Sequence, residues 1–305
     1  MALTAACSRG PTPEAEGERT TRTTRRVTTV QTLSGRPSDV AYVDGVLWVV
    51  EDEAGTVQRL DATTGEPIGA PIPVSQAPGS VAVGGGKVVV ADAFGQVAIL
   101  DAGSPTPAEP AVQVGRAFAD VAVDGDRIWV ADIGLGTVSQ VDAGGATVWQ
   151  TEVPSGAVRL APVGDRLWVS GIENTIVALD AATGRLVEEP IRVGEGPIGL
   201  AASDHVLWVA NSDDDTVSRL DPRTGRSLGV ATAVGRAPIA VAVDGAAVWV
   251  LDQDSPAVTL LDATTGARRG SDTPLPLRPR GFAVSPAGLW IVGVDPPSAV
   301  LVPRT

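Results

Sequence analysis

The sequence predicts an all-β fold, a seven-bladed β-propeller built from four-stranded blades, and three observations carry this prediction. The 305 residues include 35 glycines and 24 prolines spread at regular intervals, as expected of many short strands joined by turns. No long stretch shows apolar residues at helical spacing. A motif of about forty residues recurs along most of the chain, which is the mark of a repeat architecture.

The motif is centred on the phrase Gly-x-Leu-Trp-Val, and the spacing of its tryptophan defines the repeat. Successive units are 39 to 41 residues apart, and valine replaces tryptophan in the second unit. This near-constant period indicates seven equivalent units. The central positions are Trp48, Val89, Trp129, Trp168, Trp208, Trp249 and Trp290.

Three other residue types keep step with this position. Alanine stands seven residues before it in all seven units: Ala41, Ala82, Ala122, Ala161, Ala201, Ala242 and Ala283. Proline stands eleven residues before it in five units: Pro37, Pro78, Pro197, Pro238 and Pro279. Aspartate follows it by 12 or 13 residues in six units: Asp61, Asp101, Asp142, Asp180, Asp221 and Asp262. Four markers in phase indicate that one structural element is repeated.

Each unit is predicted to form four strands, and the fifth unit shows them best. Its strands are predicted over residues 198–203, 206–210, 216–221 and 227–234. The third strand ends in Asp-x-x-Thr-Gly, where the aspartate can cap the turn and the glycine can adopt positive φ. We expect alanine on the first strand because only a small side chain fits near the axis. We expect tryptophan farther out, where the space between blades widens.

The last unit lacks a fourth strand, and the region before the first unit supplies one. Residues 26–33 alternate valine with polar residues, so we predict that they complete the blade formed by residues 280–305. This closure removes an open blade edge. The propeller is therefore predicted to cover residues 26–305.

Residues 1–25 are predicted to be a lipobox-like start followed by a disordered tether. The run Leu3-Thr4-Ala5-Ala6-Cys7 resembles a bacterial lipobox, and the polar stretch that follows cannot bury enough apolar area to fold. We therefore predict lipidation at Cys7 and an extracytoplasmic protein anchored to the outer face of the cell membrane. The alternative is that Cys7 is incidental.

The pattern P-x-x-V-A-V-x-x-G-x-L-W-V-A-N-x-x-x-x-T-V-S-x-L-D-x-x-T-G resembles the YVTN/YncE-like group of bacterial β-propeller repeats, most closely at residues 197–225. The resemblance covers residues 26–305 and implies an exported or cell-surface protein. Virginiamycin B lyases have a similar seven-bladed repeat, and their chemistry relies on histidines together with acidic residues that hold magnesium. This chain contains 1 histidine, His205, which argues against that activity.

Composition excludes some partners. The net charge of −13 repels phosphate backbones, so nucleic acid is not expected to bind. With 1 cysteine, no intramolecular disulfide can form. We expect a monomer that meets the membrane only through its lipid anchor.

The candidate site lies where the entry to each first strand meets the loop after each second strand, around the mouth of the channel. Arginines and carboxylates at these positions predict a polar pocket for a small molecule, glycan or protein. The alternative is that they cap local turns. The candidate ligand-binding residues are Arg36, Asp39, Asp92, Arg116, Asp120, Asp132, Arg159, Asn211, Arg236, Asp252 and Arg280.

These residues favour a binding module over an enzyme, and we predict no cofactor. Nucleophilic catalysis is disfavoured, since His205 is predicted in a hairpin on the opposite side from the mouth. The competing hypothesis is a metal-assisted lyase or hydrolase, in which the mouth carboxylates hold a divalent cation. The acidic run Ser212-Asp213-Asp214-Asp215 is interpreted as a solvated loop.

Overall fold

A computed structural model describes residues 27–304 except 105, 107–109, 155 and 172. These residues form 28 β-strands in seven antiparallel sheets of four strands each. None of the described residues forms a helix, and so no membrane-spanning helix is found among them. The predicted tether and Cys7 lie outside the described residues.

The strands follow one another in chain order through the blades. The N-terminal strand is β1 (Thr28–Thr32). Blade one contains β2 (Pro37–Val43), β3 (Val46–Glu51), β4 (Thr56–Asp61) and β5 (Ile72–Pro73). Blade two contains β6 (Pro78–Gly84), β7 (Lys87–Asp92), β8 (Gln96–Asp101) and β9 (Val112–Gln113). Blade three contains β10 (Phe118–Asp124), β11 (Arg127–Asp132), β12 (Thr137–Val141) and β13 (Thr147–Glu152).

The remaining blades repeat the pattern, and the last one takes its fourth strand from the N-terminal region. Blade four contains β14 (Arg159–Val163), β15 (Arg166–Ser170), β16 (Thr175–Asp180) and β17 (Ile191–Arg192), and blade five contains β18 (Pro197–Ala202), β19 (Leu207–Asn211), β20 (Thr216–Leu220) and β21 (Thr232–Ala233). Blade six contains β22 (Pro238–Asp244), β23 (Ala247–Asp252), β24 (Ala257–Asp262) and β25 (Thr273–Pro274). Blade seven contains β26 (Arg278–Ser285), β27 (Gly288–Val294), β28 (Ser298–Pro303) and β1.

The predicted ring closure is confirmed. Strand β1 pairs antiparallel with β28, with Thr28 opposite Leu301 and Thr32 opposite Ser298. The backbone N–H of Leu33 then donates to Pro297 O at 3.1 Å. The two ends of the propeller are thus joined within one sheet, which covers the edge that β28 would otherwise expose.

The outer strand is shorter than predicted in the fifth blade. Residues 227–234 were predicted to form it, but β21 covers only Thr232–Ala233, and Ser227 makes only an isolated bridge to Leu220. The shortening belongs to the repeat, since β5, β9, β17 and β25 are also two residues long. In the fifth blade the chain turns before β21, where the Ser227 hydroxyl donates to Gly229 O at 2.7 Å and Gly229 has φ 129°. This bends the chain away from the ladder.

The core consists of seven apolar clusters, one at each junction between neighbouring blades. Each repeat tryptophan is at most 2% exposed and lies on a second strand. The repeat alanine pairs directly opposite it, as Ala41 does with Trp48. Indole Nε1 groups also bond across junctions, from Trp290 to Ala62 O at 3.0 Å. The predicted arrangement of alanine near the axis and tryptophan outside it is confirmed.

The Asp-x-x-Thr-Gly segments form the predicted turns. In the first blade, the carboxylate of Asp61 accepts from the backbone N–H groups of Thr63 and Thr64, both at 2.8 Å. Gly65 has φ 75°, a conformation that glycine adopts without the steric cost of a Cβ. These bonds favour the ionised carboxylate and lower the pKa of Asp61.

Candidate functional site

The entry to each first strand and the loop after each second strand lie on one side of the propeller, as predicted. The backbone N–H of Asp52 donates to Arg36 O, and that of Ile133 donates to Ala117 O, both at 3.0 Å. Equivalent bonds occur in blades two, five and six. We call the side formed by residues 34–37, 52–55 and their equivalents in the other blades the mouth face.

The residue nine positions before the repeat tryptophan lies at the same level of the channel in every blade. Its side chain is polar in one half of the ring and small in the other. Each of these residues lies at the start of the first strand of its blade, next to the bulge that follows the proline position in most blades. Blades one to four provide what we call the polar half-ring: Asp39, Ser80, Asp120 and Arg159. Blades five to seven provide the small half-ring: Gly199, Ala240 and Gly281.

Hydrogen bonds join the members of the polar half-ring from blade to blade. The Ser80 hydroxyl lies 3.2 Å from Asp39 Oδ2 and 3.1 Å from Asp120 Oδ1. Asp39 also accepts from the backbone N–H of Val81 at 3.1 Å, and Asp120 from that of Leu160 at 2.8 Å. Each carboxyl group therefore contacts the first strand of the next blade.

Burial changes the acidity of both carboxyl groups. The surrounding protein raises the pKa of Asp39 to about 6, against the lowering effects of the Val81 N–H and the Arg159 charge. Burial likewise raises the pKa of Asp120, and the charge of Arg159 again opposes this. Both side chains keep some exposed surface, so they can reach a ligand in the channel while lying deep in the molecule.

The hydroxyl of Ser80 cannot satisfy both neighbours when both are ionised. It carries one hydrogen, yet a carboxyl oxygen lies within hydrogen-bond distance on each side. A proton on one carboxyl group supplies the missing donor. The raised pKa of Asp39 fits this arrangement, so the trio can both donate and accept hydrogen bonds at mildly acidic pH.

Arg159 provides the positive charge of the half-ring. Its Nη1 donates to Ala119 O at 3.0 Å and to Val158 O at 3.2 Å, which holds the guanidinium against the third blade. Its charge acts on both Asp39 and Asp120. The half-ring thus combines two acids, one hydroxyl and one guanidinium.

The small half-ring is required by close approach between blades. A Cβ at Gly281 would lie 2.8 Å from Asp39 Cα, and one at Gly199 would lie 3.0 Å from Ala240 Cα. Any larger side chain at Gly281 would also displace the Asp39 carboxylate, whose Oδ1 would lie 2.5 Å from the added carbon. The polar groups of the described channel level are therefore confined to blades one to four.

The structure places a second group of predicted site residues beneath the mouth face instead of in the channel. Four candidate residues each end a second strand and are at most 1% exposed: Asp92, Asp132, Asn211 and Asp252. Glu51 holds the same position in the first blade and is also 1% exposed. Asp132 shows how such a residue bonds to the loops of the mouth face: its carboxylate accepts from the backbone N–H groups of Arg116 and Ala117 before the first strand and of Leu135 in the loop after the second strand. These contacts agree with the alternative interpretation, in which such residues cap local turns, except that the caps are buried. These contacts do not test whether the residues bind a ligand, so that role stays a prediction.

Asp252 differs from the other buried caps. Its Oδ2 accepts from the Thr259 hydroxyl at 2.8 Å, whereas Oδ1 is buried without a hydrogen-bond partner. Burial is the main cause that raises the pKa of Asp252 to about 7. Asp92 Oδ2 and Asn211 Oδ1 are also buried without a partner in the described structure.

The predicted arginines of the mouth face are exposed and fall into two groups. Arg116 and Arg236 lie at separate entries to the third and sixth blades. Arg36 and Arg280 share a cavity of about 400 Å³ with Arg278, at the seam between the seventh and first blades. Glu53 and Asp295 also line this cavity.

Two features of the candidate site were missed in the sequence. Ser80 was not among the candidate residues, although it occupies the same repeat position as Asp39 and Asp120. The apolar side chains of Phe94, Ile133 and Leu135 are between 40% and 56% exposed on the loops of the second and third blades. The corresponding loops of the first, fifth and sixth blades are mainly polar, a contrast that was visible in the sequence.

Metal-binding residues do not converge in the described structure. No three His, Cys, Asp or Glu side chains in it are grouped so as to hold a metal ion. In the acidic run of the fifth blade, Asp214 accepts from the Glu195 N–H at 2.7 Å and Asp215 from the Ala237 N–H at 2.8 Å. These bonds fix neighbouring loops of the mouth face.

Comparison with known proteins supports the fold and a family resemblance. A family model described as outer membrane protein assembly factor BamB matches residues 134–273, which is less than half of the chain. The search of curated proteins finds no match. The chain is thus similar to BamB-type propeller repeats, and the YVTN/YncE-like assignment stays a prediction.

Several solved structures align with this chain over nearly its whole length. A streptogramin B lyase structure is 15% identical with a TM-score of 0.78, covering 93% of this chain and 99% of that one. Virginiamycin B lyase from Staphylococcus aureus is 14% identical with a TM-score of 0.76, covering 92% and 99%. BamB from Moraxella catarrhalis is 18% identical with a TM-score of 0.68, covering 90% and 97%. At these identities the likeness concerns the fold.

Proposed function

We propose that this protein is an extracytoplasmic binding module that holds a polar ligand at the mouth of its channel. The observation that carries the proposal is the polar half-ring of Asp39, Ser80, Asp120 and Arg159. The propeller does not need these side chains to close, since the other three blades have glycine or alanine at the same position. Burying two carboxyl groups is costly, and the hydrogen bonds to Val81 and Leu160 offset only part of this cost, since burial still raises the pKa of both groups; such perturbed groups in a channel favour a functional role.

The half-ring favours a ligand that presents hydroxyl or amide groups. The Ser80 hydroxyl and a protonated carboxyl group donate and accept, and the Arg159 guanidinium adds further donors. Groups that themselves donate and accept satisfy such a row, whereas an apolar ligand would leave it unpaired. We therefore propose a glycan or a short peptide as the small-molecule ligand.

Thermal-shift titrations test this proposal with named probes. N-acetylglucosamine, trehalose and glycylglycine are titrated at millimolar concentrations into the wild type, Asp120→Asn and Arg159→Gln. The matched control is Asp142→Asn, which removes the same charge at an exposed turn of the same blade. We expect a saturable rise in Tm with at least one probe that both channel variants lose and the control keeps.

Two results would refute the proposal. One is the absence of a saturable shift with every probe. The other is an equal shift in the wild type and both channel variants, which would place binding elsewhere on the molecule.

A protein partner is the second candidate ligand, favoured by the exposed side chains of Phe94, Ile133 and Leu135 on the mouth face. The family match to an outer membrane protein assembly factor supports the same reading. A photo-crosslinking residue at Ile133 should trap a defined partner in cells of the source organism. One at Leu228, which is 41% exposed on the outer rim, should not. Equal trapping at both positions would argue against this surface.

We further propose that Cys7 carries the lipid that holds the propeller at the outer face of the membrane, as a monomer of the YVTN/YncE-like type. The lipobox-like run before Cys7 supports this location, as does the resemblance to BamB. Behind a complete lipoprotein signal peptide, the wild type should incorporate labelled palmitate, and Cys7→Ala should not. Equal labelling, or none in either protein, would contradict the anchor.

A further inference from the structure

We infer that the cavity at the seam between the seventh and first blades is an anion-binding site, separate from the polar half-ring and beyond the function proposed above. We call it the seam pocket, and its cationic residues are Arg36, Arg278 and Arg280. Its volume of about 400 Å³ accommodates a small molecule that carries carboxylate or phosphate groups.

The repeat shows that these arginines are not required by the fold. Arg36 and Arg278 occupy the same repeat position, twelve residues before the central residue, in adjacent blades. The other five blades have only glycine or alanine there: Ala77, Ala117, Gly156, Gly196 and Ala237. Arg280, two residues farther along, is the one charged residue at its own repeat position. Positive charge is therefore concentrated at the seam.

Carboxylates of the described structure neutralise this charge incompletely. Arg36 lies 3.6 Å from Asp52 Oδ2 and 3.7 Å from Glu53 Oε1, longer than the 2.7–2.9 Å of a strong charge-assisted bond. Arg278 and Arg280 are exposed, and no carboxylate oxygen of the described residues lies within 4.0 Å of either guanidinium group. Asp295, which lines the pocket, forms no ion pair either within that part of the chain.

The convergence is notable because the chain as a whole is acidic, with a net charge of −13. The negative charge of the rest of the protein repels anions, so an anion binds most favourably where several guanidinium groups without close carboxylates line one cavity. The planar fork of arginine binds two oxygens of a carboxylate or phosphate at once. An oxyanion with at least two negative charges can engage Arg278 and Arg280 together.

Isothermal titration with pyrophosphate and with citrate, in separate arms at physiological salt, tests this inference. The variants are Arg278→Gln and Arg280→Gln, singly and together, and the matched control is Arg226→Gln. Arg226 is exposed and has no ion pair in the described residues, so it loses the same charge without touching the pocket. The three mutated side chains are all exposed, so we expect each variant to fold as the wild type does.

We expect saturable binding of at least one probe, weakened about tenfold by each pocket variant and unchanged in the control. Binding of pyrophosphate alone would identify phosphate as the ligand group, and binding of citrate alone would identify carboxylate. The inference is overturned if neither probe binds, or if Arg226→Gln weakens binding as much as the pocket variants do.

Discussion

Removing the N-terminal strand should open the ring at its seam. Strand β1 contributes four residue pairs to the ladder with β28, and Leu33 just beyond it is 6% exposed in the cluster that joins the seventh and first blades. Burial of one leucine side chain increases the free energy of unfolding by about 2–3 kcal/mol. The ladder adds about 1 kcal/mol for each backbone hydrogen bond. The loss is therefore about 4–8 kcal/mol.

This loss is large beside the total stability of a domain, which is about 5–15 kcal/mol. It should lower Tm by more than about 10 °C, since each kcal/mol corresponds to about 2–4 °C in a domain of this size class. The assay compares two truncations by thermal denaturation. Deletion of residues 1–34 removes β1, whereas deletion of residues 1–25 removes only the predicted tether.

We expect the shorter deletion to melt as the full chain does and the longer one to melt much earlier. Leu33→Ala provides a milder test if the longer deletion does not fold, with an expected cost of about 2–4 kcal/mol. Equal melting of both truncations, together with no effect of Leu33→Ala, would refute the closure.

Three further changes follow from the packing and the buried charges. Trp208→Ala should cost about 3–5 kcal/mol in urea denaturation because the indole is fully buried, and Trp149→Ala less because Trp149 is only partly buried; equal costs would contradict this. Asp252→Asn should raise Tm at pH 8 but not at pH 4. The folded pKa of about 7 lies above the usual 3.8, so the wild type loses stability as pH rises between these values, by about 2–4 kcal/mol; a pH-independent effect would be inconsistent. Gly281→Ala should destabilise the ring and alter the titration of Asp39, since the added carbon would contact its carboxylate; an unchanged titration would argue against this contact.

The sequence predicted the fold well because the same strand-forming motif occurs in seven units, and each unit gives the same evidence for a four-stranded blade. The tryptophan and alanine positions alone identified the second and first strands, and the missing last strand identified the closure. The outer strand was harder, since it is only two residues long in five of the seven blades and the residues before it differ from unit to unit.

The candidate site was predictable only in part. Asp39, Asp120 and Arg159 were found from their position in the repeat, but Ser80 was not, because a serine carries little signal by itself. Its importance comes from neighbours about forty residues away on either side, which only the ring brings together. The burial of Asp132 was also hidden, since two of its donors, the N–H groups of Arg116 and Ala117, belong to the loop before another strand.

A carboxyl carbon NMR titration of Asp39 and Asp120 tests the central claim most directly. A desolvated pair that shares the Ser80 hydroxyl should include one carboxyl group that titrates near pH 6, and Ser80→Ala should alter both curves. Addition of the probe that raises Tm should move both resonances. Two independent titrations near pH 4, unaffected by Ser80→Ala or by any probe, would mean that the half-ring is an ordinary solvated surface and not a binding site.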